Sequence, residues 1–221
     1  MKRKLLFLVT EDWFFCSHFF ERAMAAKAAG YEITVVTREF KHAGNIRDAG
    51  FNLIPIKFKR RGLNPLKELQ TLWRLIFIYL KERPDIVHHI AAKPILYGTL
   101  SAIISLRPKI LNAPVGMGYI FSTKNTTTRF LRPFLSVGYR FLLNPRKSKV
   151  VFENSDDLNH FVAVDAVQSK NAVLIRGAGI NLTKFKFRNE EPAGIPVITL
   201  LSRMLWDKGV GEFIAAAQIL N

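Results

Sequence analysis

The sequence predicts an α/β chain in which a parallel sheet carries helices on both faces. Three observations predict it. Short strand-like runs such as KLLFLVT (4–10), YEITVVT (31–37) and IVHHI (86–90) recur along the chain, the first of them continuously apolar, as suits a strand covered on both faces. Segments with helical spacing of apolar residues stand between them, so successive strands need crossover connections. Hydrophobic residues make up 49% of the 221, enough for a sizeable core.

Lys4–Thr10 is the first strand, and EDWFFCSHF after it reads as a loop leading into a helix that stops at Gly30. Tyr31–Thr37 is a second strand, rich in β-branched residues, and Phe51–Phe58 a third. Pro65 opens a long helix to about Glu82, with Leu66, Leu69, Trp73, Ile76 and Leu80 giving it one apolar face. Pro84 and Asp85 end that helix, and Ile86–Ile90 returns as a strand. Pro94–Leu106 is a helix, Lys109–Ala113 a strand, Phe130–Leu143 an aromatic and basic helix, and Lys149–Asn154 a strand. Asp156–Val162 and Ala172–Ile175 add one more helix and strand. The polar, Pro- and Gly-bearing stretch 185–196 reads as a linker between a domain at 1–184 and a new βα unit at 197–221, whose strand is PVITLLS.

The formal net charge is +16, from 33 basic and 17 acidic residues. Between Ile86 and Phe152 there is no Asp or Glu, whereas Lys93, Arg107, Lys109, Lys124, Arg129, Arg132, Arg140, Arg146, Lys147 and Lys149 are all present. Such a field attracts phosphates: nucleic acid, an anionic membrane surface or a diphosphate ligand. A general solubility bias explains the same charge without a partner. Nucleic acid is disfavoured because no helix-turn-helix or RNA-recognition signature occurs. The single Cys16 cannot form an intramolecular disulfide, which points to a reducing compartment. No secretory signal pattern and no apolar run of the roughly 18–20 residues needed to span a bilayer is present, so a soluble or peripheral chain is expected.

Ligands of open α/β sheets bind at the carboxyl ends of the strands. After the first strand stand Asp12 and His18, and His18 reads equally as a site residue or a surface histidine. The loop lacks the glycine fingerprint of dinucleotide binding. His88 and His89 are adjacent on one strand, so at most one faces a given site. No metal site is expected, because no further Cys or His stands at ligand spacing. Lys93, just before a helix, suits an anion, although an ordinary exposed lysine is the default. NAPVGMGY (112–119) holds Gly116, Gly118 and Tyr119, and Gly177 and Gly179 form a second glycine loop, either of which permits close backbone approach or merely a tight turn. Arg203 and Lys208 flank a strand-to-helix loop, a pairing that suits a diphosphate. There is no Gly-x-Ser-x-Gly elbow and no Walker loop, which disfavours a serine hydrolase and a nucleoside triphosphatase.

Taken together, TEDWFFCSHFFERAMAAKAAGYEITVVT, PDIVHHIAAKPILYGTLSA, NAPVGMGYIF, VVFENSDDLNHF, IRGAGINLTKF and LLSRMLWDKGVGEFIAAA resemble glycosyltransferase family four, the two-domain Rossmann-like (GT-B) transferases, and in particular the bacterial branch that elongates lipid-linked glycans. The resemblance implies a GT-B amino-terminal, acceptor-side domain at 1–184 and the start of a donor-binding domain at 197–221. It implies that Arg203 and Lys208 hold the diphosphate of a nucleotide-sugar donor, a UDP-sugar, with no cofactor and no metal. It places Asp12, His18, His88, Lys93, Gly116, Gly118 and Tyr119 on the acceptor side. It further implies retaining transfer to a polyprenyl-diphosphate-linked glycan in surface polysaccharide or glycoprotein glycan synthesis. The location implied is cytoplasmic, peripheral to the inner face of the plasma membrane. The basic, aromatic segment RFLRPFLSVGYRFLL would rest in the lipid interface or cover the sheet as core. The family's carboxylate pair on a later helix is absent from these 221 residues, so weak or no activity is expected of them alone. A non-catalytic binding or scaffold protein on a degenerate transferase fold is the alternative.

Overall fold

The apolar runs of the first unit form strands because most of their apolar side chains are buried, largely against covering helices. In the computed structural model, which describes residues 2–57, 65–105, 108–115, 137–177, 179–183, 185–187, 194–202, 204 and 206–220, two compact units are present, Met1–Gly179 and Ile180–Asn221.

The first unit holds β1 (Lys4–Glu11), α1 (Asp12–His18), α2 (Phe20–Ala28), β2 (Glu32–Arg38), α3 (Ala43–Asp48), β3 (Asn52–Pro55), α4 (Pro65–Glu82), β4 (Ile86–Ile90), α5 (Ala92–Ile104) and β5 (Lys109–Ala113). It continues through a helical stretch at 137–143 (α6), β6 (Ser148–Phe152), α7 (Ser155–Ala163) and β7 (Ala172–Leu174). The seven strands are parallel in the order β3-β2-β1-β4-β5-β6-β7. The order reverses between β1 and β4, and that switch point is where an open sheet leaves a crevice at its carboxyl edge.

The alternation of strand side chains divides the core into two layers. Phe7, Val9, Val35 and Ile90 pack with Phe15, Phe19, Ile46 and Phe51 from the α1–α3 side. Leu6, Leu8, Val36 and Val87 pack with Leu75, Ile78 and Tyr79 of α4 and Ala102 of α5. A third cluster joins Ile95, Leu143, Val150, Phe152 and Phe161 around β6 and α7.

Several expectations are corrected. The segment after β1 is the helix α1, not a loop: Phe15 and Phe19 stand four apart and are both buried, which anchors a helical turn against the sheet. α3 leaves no periodic signal in the sequence, being only six residues long and largely polar. β3 ends at Pro55, short of the expected Phe58; β3 is the edge strand, where a proline is tolerated, and Ile56 N still donates to the Thr37 carbonyl at 2.9 Å. The run Val197–Leu201 is not a strand, and Val197, Ile198 and Leu201 are exposed. A strand exists by pairing, and among the described residues none of the second unit lies alongside it. That unit contains a single turn of 3₁₀ helix at Trp206–Lys208, Gly209 and α8 (Val210–Leu220). The helix expected from Phe130 is seen at 137–143, and its earlier part lies outside the described residues. The apolar face expected of α4 is present but is largely not the side that meets the sheet. Ile76 is buried, but Leu66, Leu69, Trp73 and Leu80 are exposed.

Candidate functional site

At the carboxyl edge, β4 delivers two histidines to opposite faces of the sheet. His88 stands beside Phe7 across the β1–β4 register, and His89 beside Leu8. The His88 ring lies 5.3 Å from Phe7 and 5.6 Å, edge-on, from Phe19 at the junction of α1 and α2. Its Nε2 is buried without a hydrogen-bond partner. Burial first, then His89 and the nearby Arg22 cation, lower its pKa to about 3, so the ring is neutral.

Arg22 connects this histidine to two other strand ends. Its guanidinium stacks over Phe19 at 4.9 Å and donates to the carbonyl of Gly177, after β7, at 2.8 Å. It also meets Glu153, after β6, at 3.4 Å. Gly177 and Gly179 both take positive φ, 63° and 73°, which a side chain would strain. Phe14 extends the cluster outward: it packs on Phe19 at 6.0 Å and on the exposed ring of His18 at 4.5 Å. Thus His18, His88 and Gly177 are linked through Phe14, Phe19 and Arg22, a patch with a neutral imidazole, a partly satisfied guanidinium and a glycine loop. Hydroxyls and anionic oxygens are what such donors bind.

The other face of β4 holds a closed network. Asn112 Nδ2 is committed to the Leu142 carbonyl at 3.3 Å, so its Oδ1 accepts from His89 Nδ1 at 2.8 Å. Nε2 then accepts from the Tyr79 hydroxyl at 2.9 Å, and Thr99 Oγ1 stands 3.3 Å from Nδ1. Burial lowers the His89 pKa to about 4 despite the opposing Asn112 bond. This histidine ties α4, α5 and β5 together and is fully enclosed.

Two expected site residues serve structure as placed. Asp12 is fully buried: Oδ1 accepts from Trp13 N at 2.7 Å, and Oδ2 from Phe40 N and His42 N at 2.7 and 3.0 Å. It fastens the loop after β2. Lys93 pairs with Glu68 of α4 at 2.8 Å, both side chains largely covered. Just before it, Ala91 adopts φ 75°, ψ 170°, a conformation rare outside glycine, while its N–H donates to the Ala113 carbonyl at 3.0 Å. Burial and then Asp12 push the Cys16 thiol up to about 11, which disfavours the thiolate that a nucleophile needs. Gly116, Gly118, Tyr119 and Arg203 lie outside the described residues, and Lys208 is exposed in the second unit. Among the described residues, no three His, Cys, Asp or Glu gather to hold a metal.

Sequence reading missed Phe19, Arg22 and Glu153. Glu153 follows an apolar strand directly, and Arg22 lies four residues past His18, so position offered a signal for both. A cavity of about 430 Å³ lined by Ile103, Pro108, Phe141 and Arg146 sits at the opposite, amino-end edge of β5. It is remote from the crevice where such sheets bind ligands.

The chain is similar to known glycosyltransferases in sequence and in fold. The chain is 23% identical over 202 residues to the N,N'-diacetylbacillosaminyl-diphospho-undecaprenol alpha-1,3-N-acetylgalactosaminyltransferase of Campylobacter jejuni, covering 86% of this chain and 53% of that protein. It is 23% identical over 208 residues to the capsular polysaccharide biosynthesis glycosyltransferase CapM of Staphylococcus aureus, covering 86% and 50%. The chain therefore spans about half the length of the curated relatives it matches. Among solved structures, a Rickettsia africae glycosyltransferase superposes with TM-score 0.62 at 19% identity, over 86% of this chain and 47% of that one. Anabaena Alr3699/HepE, crystallised with UDP-glucose, superposes with TM-score 0.57 at 13% identity, over 84% and 46%. A UDP-N-acetylglucosamine 2-epimerase also superposes, with TM-score 0.59 at 12% identity over 87% and 53%, so these likenesses speak to architecture and not to reaction. They agree with the Rossmann-like, GT-B architecture expected from the sequence. Residues 4–154 match the family described as glycosyl transferase 4-like, and with more than half of its length matched the chain belongs to that family.

Proposed function

We propose that this chain forms the acceptor-side part of a retaining glycosyltransferase, which moves a sugar from a UDP-sugar to a polyprenyl-diphosphate-linked glycan at an anionic membrane surface. The family match over 4–154 carries the reading. Two further facts support it: the Campylobacter relative is named for an undecaprenol diphosphate substrate, and this chain has a net charge of +16. In this reading the His18–Phe14–Phe19–His88–Arg22 patch lines the acceptor side of the crevice. Arg22, held by Gly177 and Glu153, supplies positive charge where the acceptor diphosphate or the departing nucleotide enters. Arg203 and Lys208, in a donor-binding unit beginning near 197 after a linker at 185–196, grip the donor diphosphate. Glycan assembly for the cell surface, on the inner face of the plasma membrane, is the biological setting.

Donor binding tests it. Thermal shift of a version as long as the relatives, screened with UDP-sugars, should show a rise in Tm for at least one donor, as for any ligand that binds only the folded state. Arg203→Ala should abolish most of that rise. A donor-induced shift unchanged by Arg203→Ala would remove the assigned diphosphate grip.

A further inference from the structure

α4 is longer than any other helix among the described residues, at 18 residues or about 27 Å. It packs on the sheet with Leu75, Ile76, Ile78 and Tyr79, all buried. Its outer side is equally apolar. Leu69, Trp73, Phe77 and Leu80, spaced four, four and three apart, form one stripe and are 51%, 63%, 66% and 46% exposed. A soluble helix would carry polar residues there. Arg74 and Lys81 flank the stripe on one side and are exposed. The two acids of α4 are turned away from it. Glu68 pairs with Lys93, and Glu82 accepts from Asn52 through its side chain and from Lys4 through its carbonyl. The outward face thus combines large apolar side chains with cations and no acid, the composition of a helix lying in the plane of an anionic bilayer surface.

We infer that α4, through Leu69, Trp73, Phe77 and Leu80 with Arg74 and Lys81, is the face that docks on anionic lipid. The inference rests on the membrane-acceptor reading above and moves the docking surface away from the 129–143 segment named from sequence. The amino end of α4 reaches the carboxyl edge of the sheet, where Glu68 meets Lys93 beside β4. Docking along this helix therefore brings the lipid surface to the rim of the proposed acceptor crevice. No helix among the described residues is long and apolar enough to cross a membrane, so contact through this face is in-plane.

Flotation of the 221-residue chain with phosphatidylglycerol-containing vesicles, and with phosphatidylcholine vesicles alone, tests it. The parent should float with the anionic vesicles and be released by salt. Trp73→Glu/Phe77→Glu should weaken partition by roughly tenfold or more with an unchanged circular dichroism spectrum. Arg74→Gln/Lys81→Gln should weaken it less and remove part of the salt dependence. Val137→Ser/Phe141→Ser, on α6, should leave it unchanged. If the parent binds and only the α6 pair abolishes binding, the α4 assignment is overturned while the membrane-acceptor reading stands. If the parent binds neither vesicle, membrane docking fails altogether. A concentration-dependent dimer that Trp73→Glu/Phe77→Glu disrupts, with vesicle binding intact, assigns the stripe to a second copy and also overturns it. A readout that leaves the stripe intact is the emission of Trp73 with Trp13 and Trp206 changed to Phe: a blue shift on adding anionic vesicles is expected, and its absence would count against the proposal.

Discussion

His88 and His89 show how one residue step on a strand separates two chemical environments. His89 is enclosed by Tyr79, Asn112 and Thr99, whereas His88 sits among aromatic rings with Arg22 nearby and an unpaired Nε2. Both are held neutral by burial, with pKa values of about 3 for His88 and about 4 for His89. An unfolded histidine titrates near 6.5. Below that value the unfolded chain gains protons that the folded chain excludes. Stability is therefore present in full above about pH 6.5, falls as pH drops, and keeps falling until the folded values are reached. Each histidine contributes a slope of up to about 1.4 kcal/mol per pH unit. Urea midpoints at about pH 7 and about pH 5 should show the loss, and His88→Phe, which keeps a ring among Phe7 and Phe19, should make that dependence shallower. An equally steep dependence in the variant would mean that His88 is not the group excluded from protonation. The same network explains a small residue nearby. A Cβ on Gly98 would come within 2.5 Å of His89 Cδ2 and 2.7 Å of Leu8 Cδ2, so the α5–β4 contact depends on its absence.

The elements around the site are held by buried polar contacts that no hydrophobic pattern reveals. α1 begins at Asp12, whose carboxylate takes three backbone N–H groups, one from Trp13 and two from the loop after β2. Asp12→Ala leaves those donors unsatisfied in a covered position, and a loss of about 1–3 kcal/mol is expected by urea denaturation. Amide exchange at Phe40 and His42 should quicken far more than at Leu6 and Leu8 in the core of β1. Uniform exchange across both regions would show that Asp12 does not act locally. α7 is easier to foresee, since Asn154 precedes it and accepts from Asp157 N at 2.7 Å, an ordinary N-cap. α4 is the element whose sequence pattern misleads. It is apolar on both sides, and periodicity alone cannot say which stripe faces the sheet.

At the scale of the whole molecule, the chain spans about half the length of its curated relatives, and the assigned donor-gripping pair falls in the small second unit. Much of the architecture is legible without coordinates. The runs at 4–10, 31–37, 86–90 and 109–113 mark strands within a residue or so of where they occur, because short runs rich in Val, Ile and Leu between helical stretches are what a strand covered on both faces requires, even where His88, His89 or Asn112 interrupts them. The adjacency of His88 and His89 likewise fixes their opposite faces, since strand side chains alternate. PVITLLS shows the limit: its composition is that of a strand, but a strand needs a neighbour to pair with, and none is described in that unit. The same holds for the site. Which histidine meets Arg22, that Asp12 fastens a loop, that Lys93 is engaged by Glu68 and that Trp73 and Phe77 face outward were all decided by tertiary packing. Sequence determined the periodicities and the charge, because these are local properties of the chain. The structure decided the partners, because a contact between residues tens of positions apart is set by how elements stack and not by the pattern of either one.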